Sequence, residues 1–379
     1  MLRSTVRSLA ATAALFAPLA PVTAQNLGAT FDNNVDGYIE LAYAPELIPQ
    51  SGITFEAWIT YDETTIGPSW RYPTIMRHGN SGGGSENMYL RVDANNNGAR
   101  VLTWKVVTTT ATIGVSWSFG PGQLLTWTHV AGTYDGASVK LFVNGAQVAT
   151  AAGNGQPLRD VGQQTLRIGK GDDLGTPMEV WNGGIDEVRL WPFARTQAEI
   201  QATMNQLLAG IPGGVCTWNL DSHAVDTSSG FVGTISGSVN FTNNPLTLTL
   251  PPFPIASGLG TPGCLGAQRL TASSAAQIGN LGFAVVGTRM PPNALGIWAS
   301  SMGALPGSFN VLGVDIWLDL ANLVTAPGTA DGLGTMRLPL PVPTTAAPGL
   351  QFAVQAVVLD ACGPQQFTST DALTVLLVP

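Results

Sequence analysis

Hydrophobic positions alternate with polar ones along much of the chain, most clearly in residues 127–150. There Val139, Leu141 and Val143 interleave with Ser138, Lys140 and Phe142, which predicts a strand with one aliphatic and one mixed face. Asp135-Gly136 and Asn144-Gly145 flank it. Both dipeptides supply the positive φ of a two-residue hairpin turn, so the stretch reads as three consecutive antiparallel strands. Such a meander leaves an apolar face that a second layer must cover. Ile53, Phe55, Ala57 and Ile59 alternate with Thr54, Glu56, Trp58 and Thr60, a half-buried strand. Trp58 falls on its nominally polar side, facing either a concave surface or a covering loop. Residues 88–92, 101–107, 166–169 and 181–191 read as further strands, and 66–86 as a long irregular segment.

One helix stands out, over residues 196–208. Thr196 and Glu199 make a capping box, Gly210 ends the element, and Ile200, Met204 and Leu207 or Leu208 give it an apolar face. Residues 251–263 are rich in proline and carry no periodic pattern, which marks a boundary. Beyond it, 281–286, 314–320, 336–340, 352–359 and 373–378 are short strand candidates punctuated by Gly and Pro, as in a small sandwich. The expected division is a leader at 1–24, a first domain at 25–248, a linker at 249–263 and a smaller β-sandwich at 264–379. The fold class is all-β.

Composition narrows the class. Charged residues make up 11% of the 379 and apolar ones 45%, with 45 Gly and 26 Pro, which suits turn-rich β domains. Arg3 and Arg7 precede an apolar run from Leu9 to Pro21, then the small-residue site Val22-Thr23-Ala24. This is the pattern of an export signal, too short and too interrupted by Pro18 and Pro21 for a membrane span. No later stretch is apolar enough to cross a bilayer, so the mature chain is expected outside the cell, secreted or at the surface. The formal charge is −8, and two units lower once Arg3 and Arg7 are gone. That is no footprint for nucleic acid or anionic lipid. Of the three cysteines, Cys216 shares a face with Trp218 and Leu220 and reads as a buried filler. Cys264 and Cys362 remain as the expected disulfide.

Particular runs carry a family resemblance. Residues 127–136, WTHVAGTYDG, followed by 139–145, VKLFVNG, closely resemble the laminin-G-like (concanavalin A-like, pentraxin-related) jelly roll. In the same order as in that family come 31–41, FDNNVDGYIEL, with 55–59, FEAWI, upstream, and 184–191, GIDEVRLW, with 194–196, ART, downstream. The resemblance covers about residues 27–245 and implies a two-sheet jelly roll. Gly260 to Cys264, with 355–360, more loosely resembles a C-terminal module of exported bacterial proteins. Many laminin-G-like and pentraxin-like domains bind calcium, and the motif positions Asp32, Asp36 and Asp186 would supply oxygens if the first and last strands pair. The alternative makes Asp32 and Asp36 turn formers and pairs Asp186 with Arg189 or Arg195.

Catalytic constellations are absent from the pattern. Laminarinase-type relatives aim two glutamates and an aspartate into a cleft from alternate positions of one strand. Here Asp186 and Glu187 are adjacent, so they are expected on opposite faces, and the second carboxylate is missing. No Gly-x-Ser-x-Gly elbow, phosphate loop or zinc spacing occurs. His129, in a motif strand, reads as structural. Trp70 and Tyr72 lie in the irregular segment and are the expected ligand contacts; the alternative is that they plug the end of the sandwich. The leading expectation is an exported non-catalytic module recognising a glycan or an extracellular protein. The alternatives are a self-associating subunit of a surface layer or matrix and, behind it, a divergent polysaccharide-active enzyme.

Overall fold

The computed structural model describes residues 27–379 except 33–36, 51, 64–70, 81–84, 95–97, 172–178, 209–215, 222, 226–230 and 249–253. The export signal and Gly210 therefore lie outside the described residues. The first unit contains β1 (Leu27–Phe31), β2 (Tyr38–Leu41), β3 (Ile53–Ile59), β4 (Thr74–Gly79), β5 (Glu86–Ala94), β6 (Arg100–Val107), β7 (Thr112–Ser118) and β8 (Thr128–Tyr134). It continues with β9 (Ser138–Val143), β10 (Ala146–Ala152), β11 (Leu166–Ile168), β12 (Gly183–Trp191), the helix α1 (Gln197–Thr203), β13 (Cys216–Trp218), β14 (Thr234–Ser236) and β15 (Val239–Asn243). One antiparallel sheet runs β10-β9-β8-β3-β12-β1-β15, with β13 also on β12; the other runs β14-β2-β11-β4-β5-β6-β7. The segment read as irregular thus holds β4, a central strand of the second sheet.

Inward side chains from both sheets, among them Phe55, Leu90, Trp104 and Leu141, form one core. Trp104 shows why a glycine sits in the 131–133 motif. A Cβ on Gly132 would lie 2.2 Å from the Trp104 ring, whose Nε1 donates to the Thr133 carbonyl at 3.2 Å. The indole packs flat on the backbone of the facing sheet, which only glycine permits. The meander forms as expected. Asn144 and Gly145 take φ of 47° and 74° in a two-residue turn between paired Val143 and Ala146. The Asp135 corner is longer than a two-residue turn: Tyr134 pairs with Val139, and Asp135 Oδ1 accepts the Ser138 amide at 2.6 Å.

β3 is not half-buried; all seven of its residues are buried. Its polar side is covered by α1, the chain following it, and the second unit. Glu56 Oε1 accepts from Arg195 Nη1 at 2.7 Å and Trp191 Nε1 at 2.8 Å, with Arg189 Nη1 at 3.6 Å. Burial raises the Glu56 pKa, but Arg195 and Arg189 outweigh it and hold the carboxyl below its ordinary value. Trp58 donates to the Met204 carbonyl at 2.6 Å, so this face lies under a loop. The Thr196–Glu199 capping box forms, yet the helix stops at Thr203 rather than 208. Its last carbonyls are claimed from the side: Arg189 takes those of Thr203 and Gln206, and Trp58 that of Met204. A chain whose carbonyls point at fixed donors on the sheet cannot continue its own helical ladder.

The second unit contains β16 (Ile255–Ser257), β17 (Arg269–Ala272), β18 (Ala284–Thr288), β19 (Leu295–Ser301), β20 (Ala304–Val311), β21 (Val314–Leu318), β22 (Val324–Thr329), β23 (Met336–Pro339), β24 (Gln351–Leu359), β25 (Phe367–Ser369) and β26 (Ala372–Leu376). Sheet β16-β26-β24-β19-β22, with β25 on β24, packs against β17-β18-β23 around Trp298, Val285 and Val354. The linker expectation needs correction, because β16 lies inside 249–263 and pairs with β26. An edge strand tolerates neighbouring prolines, whose missing N–H costs it no ladder bond. Cys264 and Cys362 are joined by a disulfide, and Asp360 accepts both cysteine amides, at 3.1 and 3.0 Å. Cys216 is buried with its thiol free of any disulfide.

The units interlock. Trp191, Phe193 and Leu208 pack with Val286 of the second, while Leu333 of the second joins the core of the first. Arg195 Nη2 donates to Ser273 O at 2.7 Å, and Arg337 reaches back to Glu199 and to Ala194 O. Arg195→Met, which strands Glu56 beside one remaining arginine, is expected to cost about 3–5 kcal/mol in urea unfolding. A loss under about 1 kcal/mol would show that Glu56 is relieved some other way. His129 supplies a second test: its ring is buried and burial pulls its pKa down to about 4. The unfolded chain therefore binds the proton first. The His129 contribution is intact above about pH 6.5 and lost as pH falls toward 4. Over that window the wild type should lose up to about 3 kcal/mol more than His129→Phe, and parallel pH–stability curves would refute it.

Candidate ligand-binding face

The outward side of the second sheet is only partly open: β4 is buried throughout, while Glu40, Arg91, Asp93 and Lys105 keep partial exposure. Because Ile39, Met76, Leu90, Trp104 and Leu166 turn into the core, the alternate positions face away. The register sets Glu40, Arg167, Arg77, Tyr89 and Lys105 in one row across β2, β11, β4, β5 and β6. Arg91 and Thr103 are paired in the next outward row, with Asp93 beyond on β5. Tyr38 stands on β2. Tyr72 comes from the segment before β4, which runs along β5: Arg71 and Ala94 exchange both backbone hydrogen bonds, and Val92 N donates to Pro73 O at 2.9 Å.

Most cations here are bound into the scaffold. Arg77, 1% exposed, reaches Glu86 at 2.6 Å, Glu179 at 3.3 Å and the Gly79 carbonyl at 3.0 Å. Arg167 meets Glu40 at 2.8 Å and the Gly171 carbonyl at 3.3 Å, and Lys105 meets Glu86 at 2.8 Å. The rings carry cations as well. Arg167 and Lys170 lie over Tyr38, Lys105 over Tyr89, and Arg91 sits 4.6 Å from the Tyr72 centroid and 4.3 Å from that of Tyr89. Burial pushes the Tyr89 hydroxyl up to about 12 and raises Asp93, the latter against the pull of Arg91. The result is a polar patch in which Arg77, Arg167 and Tyr89 are buried and Tyr38, Tyr72, Glu40, Arg91, Asp93 and Lys105 are partly exposed.

Tyr72 is thus brought onto this face; Trp70 lies outside the described residues, as does Asp36. Asp32 and Asp186 are not brought together. β1 and β12 do pair, but Ala29 stands opposite Ile185, which sets Gly28 across from Asp186 and Asp32 across from Asn182. Four ladder steps of about 3.3 Å separate the two aspartates by roughly 13 Å. Ligands of one calcium ion lie within about 5 Å of each other, so this pair does not fit a shared ion. Asp186 is buried and pairs with neither arginine: it accepts Asn244 Nδ2 at 2.7 Å and the Glu187 amide at 2.8 Å. A bulge follows, Glu187 takes φ of 50°, and its carboxylate binds Arg189 at 2.9 Å and Asn219 at 2.9 Å. Burial drives both carboxyls above their ordinary values. Arg91 and Tyr89 were missed, although the alternation of Tyr89, Arg91 and Asp93 with Met88, Leu90 and Val92 marks them as one face. A separate concavity of about 510 Å³ opens between the units beside Asp135, Lys140, Arg195, Asp331 and Arg337. Its Asp331 is engaged by the Leu333 and Thr335 amides, and its arginines by the inter-unit contacts above.

Two facing antiparallel sheets around one core define a jelly-roll domain. Residues 32–201 match the Laminin_G_3 family, described as the concanavalin A-like lectin/glucanases superfamily. The chain is 42% identical to mouse (Mus musculus) pappalysin-1 over 97 residues, which are 24% of this chain and 6% of that protein. A protein assigned to carbohydrate binding from Bacteroides ovatus ATCC 8483 is similar in structure, with TM-score 0.44, 20% identity and coverage of 61% of this chain and 62% of that one. The heptameric SAP-like pentraxin of Limulus polyphemus gives TM-score 0.42 and 15% identity, over 59% of this chain and 97% of its own.

Stability separates the two kinds of cation on the face. Arg77→Gln leaves the Glu86 carboxylate, 8% exposed, without its closest partner and is expected to cost about 3 kcal/mol or more. Arg91→Gln should cost less, about 1–2 kcal/mol, because its carboxylate partner Asp93 is partly exposed and can be rehydrated, unlike Glu86. Equal losses in chemical unfolding would contradict the distinction.

Proposed function

We propose that this chain is an exported, non-catalytic binding module that takes carbohydrate on the outer face of its second sheet. The observation that carries the reading is the partly exposed set Glu40, Lys105, Arg91 and Asp93 beside Tyr38 and Tyr72, held in register by the buried Arg77, Arg167 and Tyr89 of the same sheet. Sugars are bound by fixed polar groups beside aromatic surface, and side chains held by ion pairs on a sheet need little ordering when the ligand arrives. The signal-like first 24 residues and the Cys264–Cys362 disulfide support an oxidising, extracellular setting. Among the described residues no helix is long and apolar enough to cross a membrane.

A second reading, assembly into a surface layer, is favoured by one feature of the second unit. Leu295, Ile297 and Leu359 are neighbours on one side of the β19–β24 pair and are 60%, 46% and 45% exposed. The mature whole chain, probed on an array of neutral and acidic glycans with calcium and again with chelator, should bind a defined glycan class. The separation of Asp32 from Asp186 gives no reason for calcium to matter. A folded chain that binds no glycan but sediments as an oligomer would replace the first reading with the second.

A further inference from the structure

Arg91 differs from every other cation on the face. Its guanidinium lies between the rings of Tyr72 and Tyr89, at 4.6 and 4.3 Å from their centroids. Nε faces Asp93 Oδ1 at 2.7 Å, which fixes the plane of the group from one side. Neither terminal nitrogen hydrogen-bonds a described residue. Arg77, by contrast, spends its nitrogens on Glu86, Glu179 and a carbonyl. Two rings and a carboxylate thus hold one planar fork still while its far edge keeps its donors for something else. A held guanidinium loses little freedom on binding, and its parallel N–H bonds match the two oxygens of a carboxylate.

We infer that Arg91 is the specificity-determining group of the face and that its ligand is a carboxylated sugar, such as a uronic acid unit within a polysaccharide. This rests on the carbohydrate-binding reading above. The carboxylate takes the outer edge of Arg91, and the sugar ring lies along Tyr72. Thr103, opposite Arg91 on the next strand, donates its hydroxyl to Asp93 Oδ2 at 3.1 Å and so steadies the carboxylate that holds Arg91. Lys105, 5.1 Å from the centroid of Tyr89, adds positive potential from the neighbouring row.

The test is calorimetric titration of the mature chain with polygalacturonate and with the same polymer after carboxyl reduction. The wild type should bind the acidic polymer about tenfold or more tightly than the reduced one. Arg91→Lys, which keeps the charge but loses the planar fork, and Arg91→Gln should each weaken binding of the acidic polymer about tenfold. Lys140→Gln removes the same charge from the other sheet and should leave it unchanged. Equal affinity for the two polymers, an unaffected Arg91→Lys variant, or preference for a sulfated galactan without carboxylates overturns the inference and leaves the carbohydrate reading standing. A cooperatively melting chain that binds neither polymer nor any neutral glucan, arabinan or galactan overturns the carbohydrate reading as well.

Discussion

A carboxylate sealed away from water has to be answered, and Glu56 sets that demand at the centre of this protein. It lies on the back of the first sheet, where the covering second unit admits no solvent. Its answer is Arg195, and Arg195 has further donors of its own to place. They go to the Glu199 carbonyl, the Thr203 hydroxyl and the Ser273 carbonyl, which ties β3, α1 and the second unit to one point. Glu199, the capping residue of α1, then takes Arg337 from the far side. Buried ion clusters of this kind add modest net stability, since desolvation offsets much of the attraction. Their geometry is demanding, however, and few other arrangements of the two units would satisfy all of these donors and acceptors.

That sealed back has a consequence for the front. With one sheet covered, the open positions lie on the other sheet, at Glu40, Arg91, Asp93 and Lys105, and the ladder there carries its charges in a fixed register. Rigidity comes from inside: the Trp104 indole lies against the Gly132 backbone and locks the two sheets face to face. The outward side chains are then held by ion pairs among themselves, Arg77 with Glu86 and Glu179, and Arg167 with Glu40. A surface ordered before its ligand arrives gives up less conformational entropy on binding.

The sequence made the sandwich legible because its signals are local. The Asn144-Gly145 turn, the period-two strands and the Thr196–Glu199 box each need only neighbours in the chain. What escaped it was set by distant partners. Nothing in the 53–60 alternation reveals that its polar side will be buried, because Arg195 and Arg337, the residues that make burial tolerable, arrive far later in the chain. The helix ends before its pattern does for the same reason, since Arg189 of β12 and Trp58 of β3 take the carbonyls at its end. The aspartates failed as a set through register: that β1 and β12 pair was foreseeable, but which residue faces which was not. Of the candidate site, Tyr72 was picked out as a loop aromatic. Arg91, its stacking partner, was hidden in plain alternation.

Charge distribution bears on how an acidic ligand would be recognised. The chain as a whole carries a formal −8, so at distances beyond a Debye length of about 8 Å it repels an anion weakly or not at all in salt, and never draws it in. Long-range steering cannot be the device. Recognition has to occur at contact, where Arg91 and Lys105 share one face while their paired carboxylates, Asp93 and Glu86, are turned toward the sheet's own cations. A single well-held fork suits that situation better than a diffuse basic patch, because its bonds depend on planarity and distance rather than on summed charge. Selectivity would then reside in the shape of the anion, with Tyr72 and Tyr89 fixing the plane in which it must lie.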